Sequence, residues 1–150
     1  LQSDETTKER MDLYRSTMSE AGFDDEAVAR SVADSWVWRN IFVADTDAEA
    51  EEIAVPHFRA MRAYLSDNRA RMNTEQERAA QAVAVTGAAR DSLDHGMIYG
   101  SPETVCQRLE KVDKIGVGGV IIHFRLGAMP YAATEHSLRL FAEKVMPNFR

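Results

Sequence analysis

The stretch Gly116-Val117-Gly118-Gly119-Val120-Ile121-Ile122-His123-Phe124 decides how the rest of the chain is read. From Val117 to Phe124 it is almost continuously apolar, as expected of a parallel strand covered on both faces. The glycines ahead of it read as a tight turn into a crowded strand. They resemble a phosphate loop only superficially, because a strand follows them and no free helix N–H groups await an anion.

Upstream, Trp36 to Ala44 is an aromatic and β-branched run that favours a second strand, centred on Asn40 to Val43. Thr46-Asp47-Ala48-Glu49 then has the spacing of a capping box, so the strand runs directly into a helix. Ile53, Phe58, Met61 and Leu65 can form that helix's buried stripe, and Pro56 should kink or reset it. Met97 to Gly100 reads as a third short strand. Ser101-Pro102-Glu103 starts a compact helix with a cap, a first-turn proline and an acid at the positive end. Val105, Leu109 and Val112 make its buried stripe, and Gly116 ends it. A last helix carries Leu138, Phe141 and Val145 on one face and stops at Pro147. Residues 68–96, rich in Arg, Gln, Glu and Ala, read as a mobile, lid-like excursion with partial helix from Thr74.

Strand and helix thus alternate three times over residues 36–150, with connections long enough for parallel crossovers, which makes this an α/β sequence. Residues 1–35 form a helical lead-in. After the polar run Ser3 to Arg10, one helix has Met11, Tyr14, Met18 and Ala21 at helical spacing and ends at Gly22. A second is capped by Asp24 or Asp25 and runs to Ala33. Three short parallel strands make a small sheet with two bare edges, and such edges seek partners. Leu1 in place of an initiating methionine fits a chain cut from something longer.

Composition narrows the function classes. With 150 residues, 45% of them apolar, the chain can bury a real core, so disorder fails as a description of the whole. A formal charge of −6, without a Lys/Arg cluster, argues against nucleic acid as a partner. The longest apolar stretch falls far short of a membrane span, and a single cysteine, Cys106, allows no internal disulfide. A cytoplasmic location is the expectation.

In parallel α/β architectures reacting groups gather at the carboxyl ends of strands. Three places qualify: Val43-Ala44-Asp45, Tyr99-Gly100-Ser101, and His123-Phe124-Arg125 with the loop to Tyr131. His123 could exchange a proton and Arg125 could hold an anion; the simpler reading packs His123 in its strand and pairs Arg125 with a loop carboxylate. Asp45 reads more simply as a helix cap than as a ligand-orienting group. Ser101 lacks His and acid partners at nucleophile spacing and reads as a cap. The four histidines are scattered without metal-ligand spacing, so no metal site is expected. Trp36 and Trp38 share one strand face, filling a core or lining an aromatic pocket, with core the simpler reading.

Taken together, Tyr99 to Val105, Gly116 to Ile122, Ser137 to Pro147 and, upstream, Ile41 to Ala50 resemble the carboxyl-terminal part of the bacterial luciferase-like monooxygenases. The resemblance runs from about Trp36 to Phe149. It implies a (β/α)8 TIM barrel of which this chain supplies about strands six to eight, with 68–96 matching a lid-like insertion. It also implies reduced FMN, supplied by a separate flavin reductase, and oxygen, which together oxygenate a small organic substrate. The full enzyme would be a homo-oligomer. Most flavin contacts and the family's usual histidine would lie in an amino-terminal half with no counterpart here. No catalytic residue is therefore assigned, and Val43, Tyr99, Gly100, His123 and Arg125 are the candidate cofactor-binding positions. Alone, the chain is expected to be inactive. Two alternatives stay open: a relative using deazaflavin F420 for hydride transfer, and a non-catalytic partial barrel that self-associates.

Overall fold

A computed structural model describes residues 3–77, 79 and 93–149. Helix α1 (Asp4–Glu20) and helix α2 (Asp25–Ala33) precede strand β1 (Trp36–Val43) and helix α3 (Asp47–Met72). A single turn, α4 (Leu93–Gly96), leads into β2 (Met97–Gly100), then α5 (Pro102–Asp113), β3 (Gly119–His123) and α6 (Tyr131–Leu140). The chain closes with a wide turn over Phe141–Val145 and a tight one over Met146–Phe149. Residues 78 and 80–92 of the lid-like excursion expected over 68–96 lie outside the described residues. Its first part, through Met72, continues α3. No helix among the described residues is long and apolar enough to cross a membrane.

The caps explain most helix starts. Ser3 Oγ accepts from the Thr6 amide, Asp24 from Ala27, Thr46 from Glu49 and Ser101 from Thr104, each satisfying one otherwise orphaned donor. Ser3 moves the start of α1 to Asp4, ahead of the expected apolar periodicity, because the polar first turn needs only a cap and solvent. Gly22, at φ 86°, ends the segment as expected. Pro56 does not break α3; it is exposed, so its missing N–H falls on the solvent side, where the freed carbonyl can be hydrated.

All strands are parallel, in the order β2-β1-β3, with β1 in the centre. Consecutive sixth, seventh and eighth barrel strands would instead place Met97–Gly100 in the middle. Length and burial account for the difference. Strand β1 is eight residues long, and its Ile41, Phe42 and Val43 are at most 1% exposed, whereas four-residue β2 can pair only with Asn40–Val43. Strand β3 pairs with Trp36–Asn40 on the other edge. Above that level Ser137 of α6 replaces a strand, its hydroxyl accepting from the Val43 amide at 2.8 Å.

Alternation along the strands splits the core in two. Ile41, Val43, Ile98, Val120 and Ile122 pack under α5 and the carboxyl-terminal turns, with Val105, Leu109, Val112, Phe141 and Val145. Phe42, Met97 and Tyr99 face the other way, against Ala50, Ala54, Val55 and Phe58 of α3 and against Leu126 and Met129. Leu138 is turned outward at 49% exposure, and the buried stripe is instead Ser137, Phe141 and Val145, spaced by four.

The glycines before β3 are needed for close approach. A Cβ on Gly118 would fall 1.7 Å from the Ala33 carbonyl oxygen, and the Gly118 amide donates to Ser35 O at 2.8 Å. That bond fastens the lead-in helices to the sheet. Arg39, buried to 4% exposure, is held there by Asp4 at 2.9 Å, and Arg15 donates to the Gly116 carbonyl at 2.6 Å.

Candidate functional site

Helix α3 covers only the upper half of its sheet face. Below Phe58 the helix and sheet diverge, and a cleft of about 1020 Å³ opens between them. Its floor is built by register: Trp38, Asn40 and Phe42 share a face of β1, and Asn40 is paired with His123 of β3. Trp38 and His123 lie 5.6 Å apart, centroid to centroid, with their rings tilted by 47°. Asn40 is buried, donates from Nδ2 to the Gly96 carbonyl at 2.7 Å, and meets His123 Nδ1 with Oδ1 at 3.1 Å.

The opposite wall is the second half of α3, with Met61, Arg62, Tyr64, Leu65 and Arg69. The β3–α6 loop closes one end. Leu126 and Met129 are fully buried, and Gly127, at φ 59°, sits where a Cβ would come within 3.1 Å of Met61 Cβ. This anchoring holds Arg125 at the rim. Three guanidinium groups, Arg62, Arg69 and Arg125, line the cleft, and no described carboxylate does. The chain is acidic as a whole, yet this surface is apolar and cationic, which suits a flat ligand with an anionic group.

Of the residues expected to line a cofactor pocket, the structure brings His123 and Arg125 into this cleft. Val43 faces the other side of the sheet, fully buried beneath the α5 layer, so it cannot line the cleft. Tyr99 packs against the α3 core. Gly100, at φ 149°, makes room for Asp47 and Thr104, either of which a Cβ would approach to 2.7 Å. The carboxyl ends of β1 and β2 are thus occupied by helix-start chemistry. Asp47 accepts from the Ser101 amide at 2.6 Å and from Thr104 Oγ1 at 3.0 Å, and these bonds hold its carboxyl below the usual range.

Three simpler expectations are corrected. Arg125 is exposed and has no carboxylate partner among the described residues. Asp45 is not the cap of α3, because Thr46 has that role, and Asp45 instead meets His136 Nε2 at 3.0 Å. Trp36 and Trp38 are not core: they are 60% and 49% exposed, since α3 stops short of covering their half of the face. Sequence reasoning assigned Asn40 no role and put Met61 and Leu65 on a buried stripe, whereas all three line the cleft and Leu65 is exposed. Their signal was present in the strand alternation that aligns Asn40 with the tryptophans, and in the 62, 65, 69 spacing along one helical stripe.

No family model matches the chain, and no curated protein matches it. Solved structures do. Monooxygenase RslO1 from Streptomyces bottropensis superposes with a TM-score of 0.61 at 23% identity, covering 100% of this chain and 40% of that one. The oxygenating constituent of 3,6-diketocamphane monooxygenase from Pseudomonas putida, a type II Baeyer-Villiger monooxygenase in complex with FMN, superposes with a TM-score of 0.60 at 23% identity. That match covers 98% of this chain and 41% of the other. The chain therefore spans about two-fifths of the length of these proteins, and at this identity the likeness is one of fold.

Proposed function

We propose that the chain is the carboxyl-terminal part of a luciferase-like, flavin-dependent monooxygenase that uses reduced FMN and oxygen to oxygenate a small organic substrate. In this reading β1 and β3 are strands of a (β/α)8 barrel whose remaining strands belong to the rest of the enzyme. The observation that carries the reading is the cleft itself, an aromatic and apolar floor rimmed by guanidinium groups on a fold shared with two monooxygenases.

The residues fit such a cofactor. Trp38 and His123 offer flat ring faces, Met61 and Leu65 exclude water, and Arg125 and Arg69 can hold a phosphate. When bound, FMN supplies the redox chemistry; the chain's part is to position the ring system and shield it. Substrate, reductase and oligomeric partner belong to the complete enzyme.

The test is to combine the chain with a polypeptide supplying the preceding barrel strands and add reduced FMN and oxygen. Flavin binding with oxygenated product or peroxide release is expected; an assembled pair that binds no flavin contradicts the proposal. Binding of F420 with oxygen-independent hydride transfer would favour that relative instead. A second reading, a non-catalytic self-associating protein, draws on exposed Trp36 and Ile121 on the open sheet face. A concentration-dependent oligomer that never binds flavin would favour it.

A further inference from the structure

We infer that Asn40 locks His123 in its Nδ1–H tautomer and thereby presents a bare Nε2 to the cleft, as the acceptor for a ring N–H of the bound ligand. The Gly96 carbonyl only accepts, so the Asn40 amide nitrogen, 2.7 Å away, must donate to it. That fixes the orientation of the Asn40 amide, because turning it over would set oxygen against oxygen. Oδ1 is therefore the atom facing His123 Nδ1 at 3.1 Å. A carbonyl oxygen cannot donate, so Nδ1 carries the proton. In the neutral ring Nε2 is then left with a lone pair, the reverse of the tautomer that dominates for histidine in water.

Nε2 has no protein partner among the described residues, and no described buried side-chain nitrogen or oxygen is left unsatisfied, so this atom is open to solvent on the cleft side. The lock is rigid for a physical reason. Asn40 is 1% exposed and pinned between two strands, and the Trp38 ring limits the tilt of the imidazole. A ligand ring resting on Trp38 meets an acceptor at Nε2 while its anionic group reaches Arg125. Asn40 is thus a positioning residue and His123 the contact. The ligand's identity as a flavin rests on the function proposed above; the tautomer does not.

The experiment is a long-range 1H–15N correlation spectrum of the histidine-labelled chain, with the His123 signals identified by their loss in His123→Gln. A protonated Nδ1 and a bare Nε2 are expected; a protonated Nε2 with a bare Nδ1 overturns the inference whatever the ligand. Folded Asn40→Leu should lose the Nδ1–H signature, and retention of it overturns the role of Asn40. Should that variant not fold, the native spectrum still decides. Adding FMN to the labelled chain assembled with the preceding barrel strands should shift the Nε2 resonance and leave Nδ1 protonated, whereas FMN binding without an Nε2 shift overturns the contact. An intact Nδ1–H tautomer in an assembled pair that binds no FMN supports the lock and contradicts the flavin reading.

Discussion

Single residues in this chain act mainly by completing the hydrogen bonds of someone else's backbone. Ser137 is the clearest case: the Val43 amide has outrun its neighbouring strand and is buried with the serine hydroxyl as partner. Ser137→Ala leaves that donor unsatisfied and should lower stability by about 1–3 kcal/mol in urea denaturation. No change would contradict its role as a strand substitute. Asp47 works in the same way on Ser101 and Thr104. Its pKa is lower in the folded chain than the roughly 3.9 of an unfolded aspartate, so the stabilisation is complete above that value and lost as pH falls through the folded pKa. Urea titrations from pH 6 down to pH 2 should show a shallower acid decline for Asp47→Asn than for the parent; parallel curves would remove Asp47 from the account. Caps were legible at this scale because one side chain and one amide suffice. The Asp45 and Thr46 assignment shows the limit: adjacent cap-forming residues differ only in backbone angle, which composition does not carry.

At the scale of elements, the strand and helix order was readable because parallel β/α sequences announce themselves by buried β-branched runs and capped helix starts. Strand order was not readable. It depends on which strand is long enough to be paired on both edges, and the four residues of β2 say little until β1 is seen beside them. The extent of α3 was also hidden, since proline signals a break without revealing which side it faces. With Pro56 on the exposed side, Pro56→Ala should restore a helical hydrogen bond and stabilise the chain by up to about 3 kcal/mol, measured by thermal or urea unfolding. A destabilised variant would mean that the bend is required for packing. The junction of α2 with β3 offers a harsher test. Gly118→Ala drives a methyl into the Ala33 carbonyl and should cost about 3 kcal/mol or more, or prevent folding. A variant as stable as the parent would contradict the observed approach.

The whole molecule is an open sheet whose two outer edges carry no strand partner among the described residues, with half of one face uncovered. The candidate site follows from that incompleteness, because the cleft exists where α3 leaves the sheet. Sequence alone pointed to His123 and Arg125 through their place after a parallel strand. It could not show that the carboxyl ends of β1 and β2 are filled by Asp47, nor that α3 supplies a wall with its own arginines. The central claim is that this cleft takes FMN once the preceding barrel strands are in place. The direct measurement is quenching of tryptophan fluorescence when the chain, assembled with a polypeptide supplying those strands, is titrated with FMN and, for comparison, with riboflavin, which lacks the phosphate. Saturable quenching is predicted, with FMN bound roughly tenfold more tightly, as one charge-assisted bond of about 1.5 kcal/mol would give, and with that advantage lost in the Arg69→Ala, Arg125→Ala double variant. Absence of saturable quenching, or equal affinity for the two flavins, would contradict the claim.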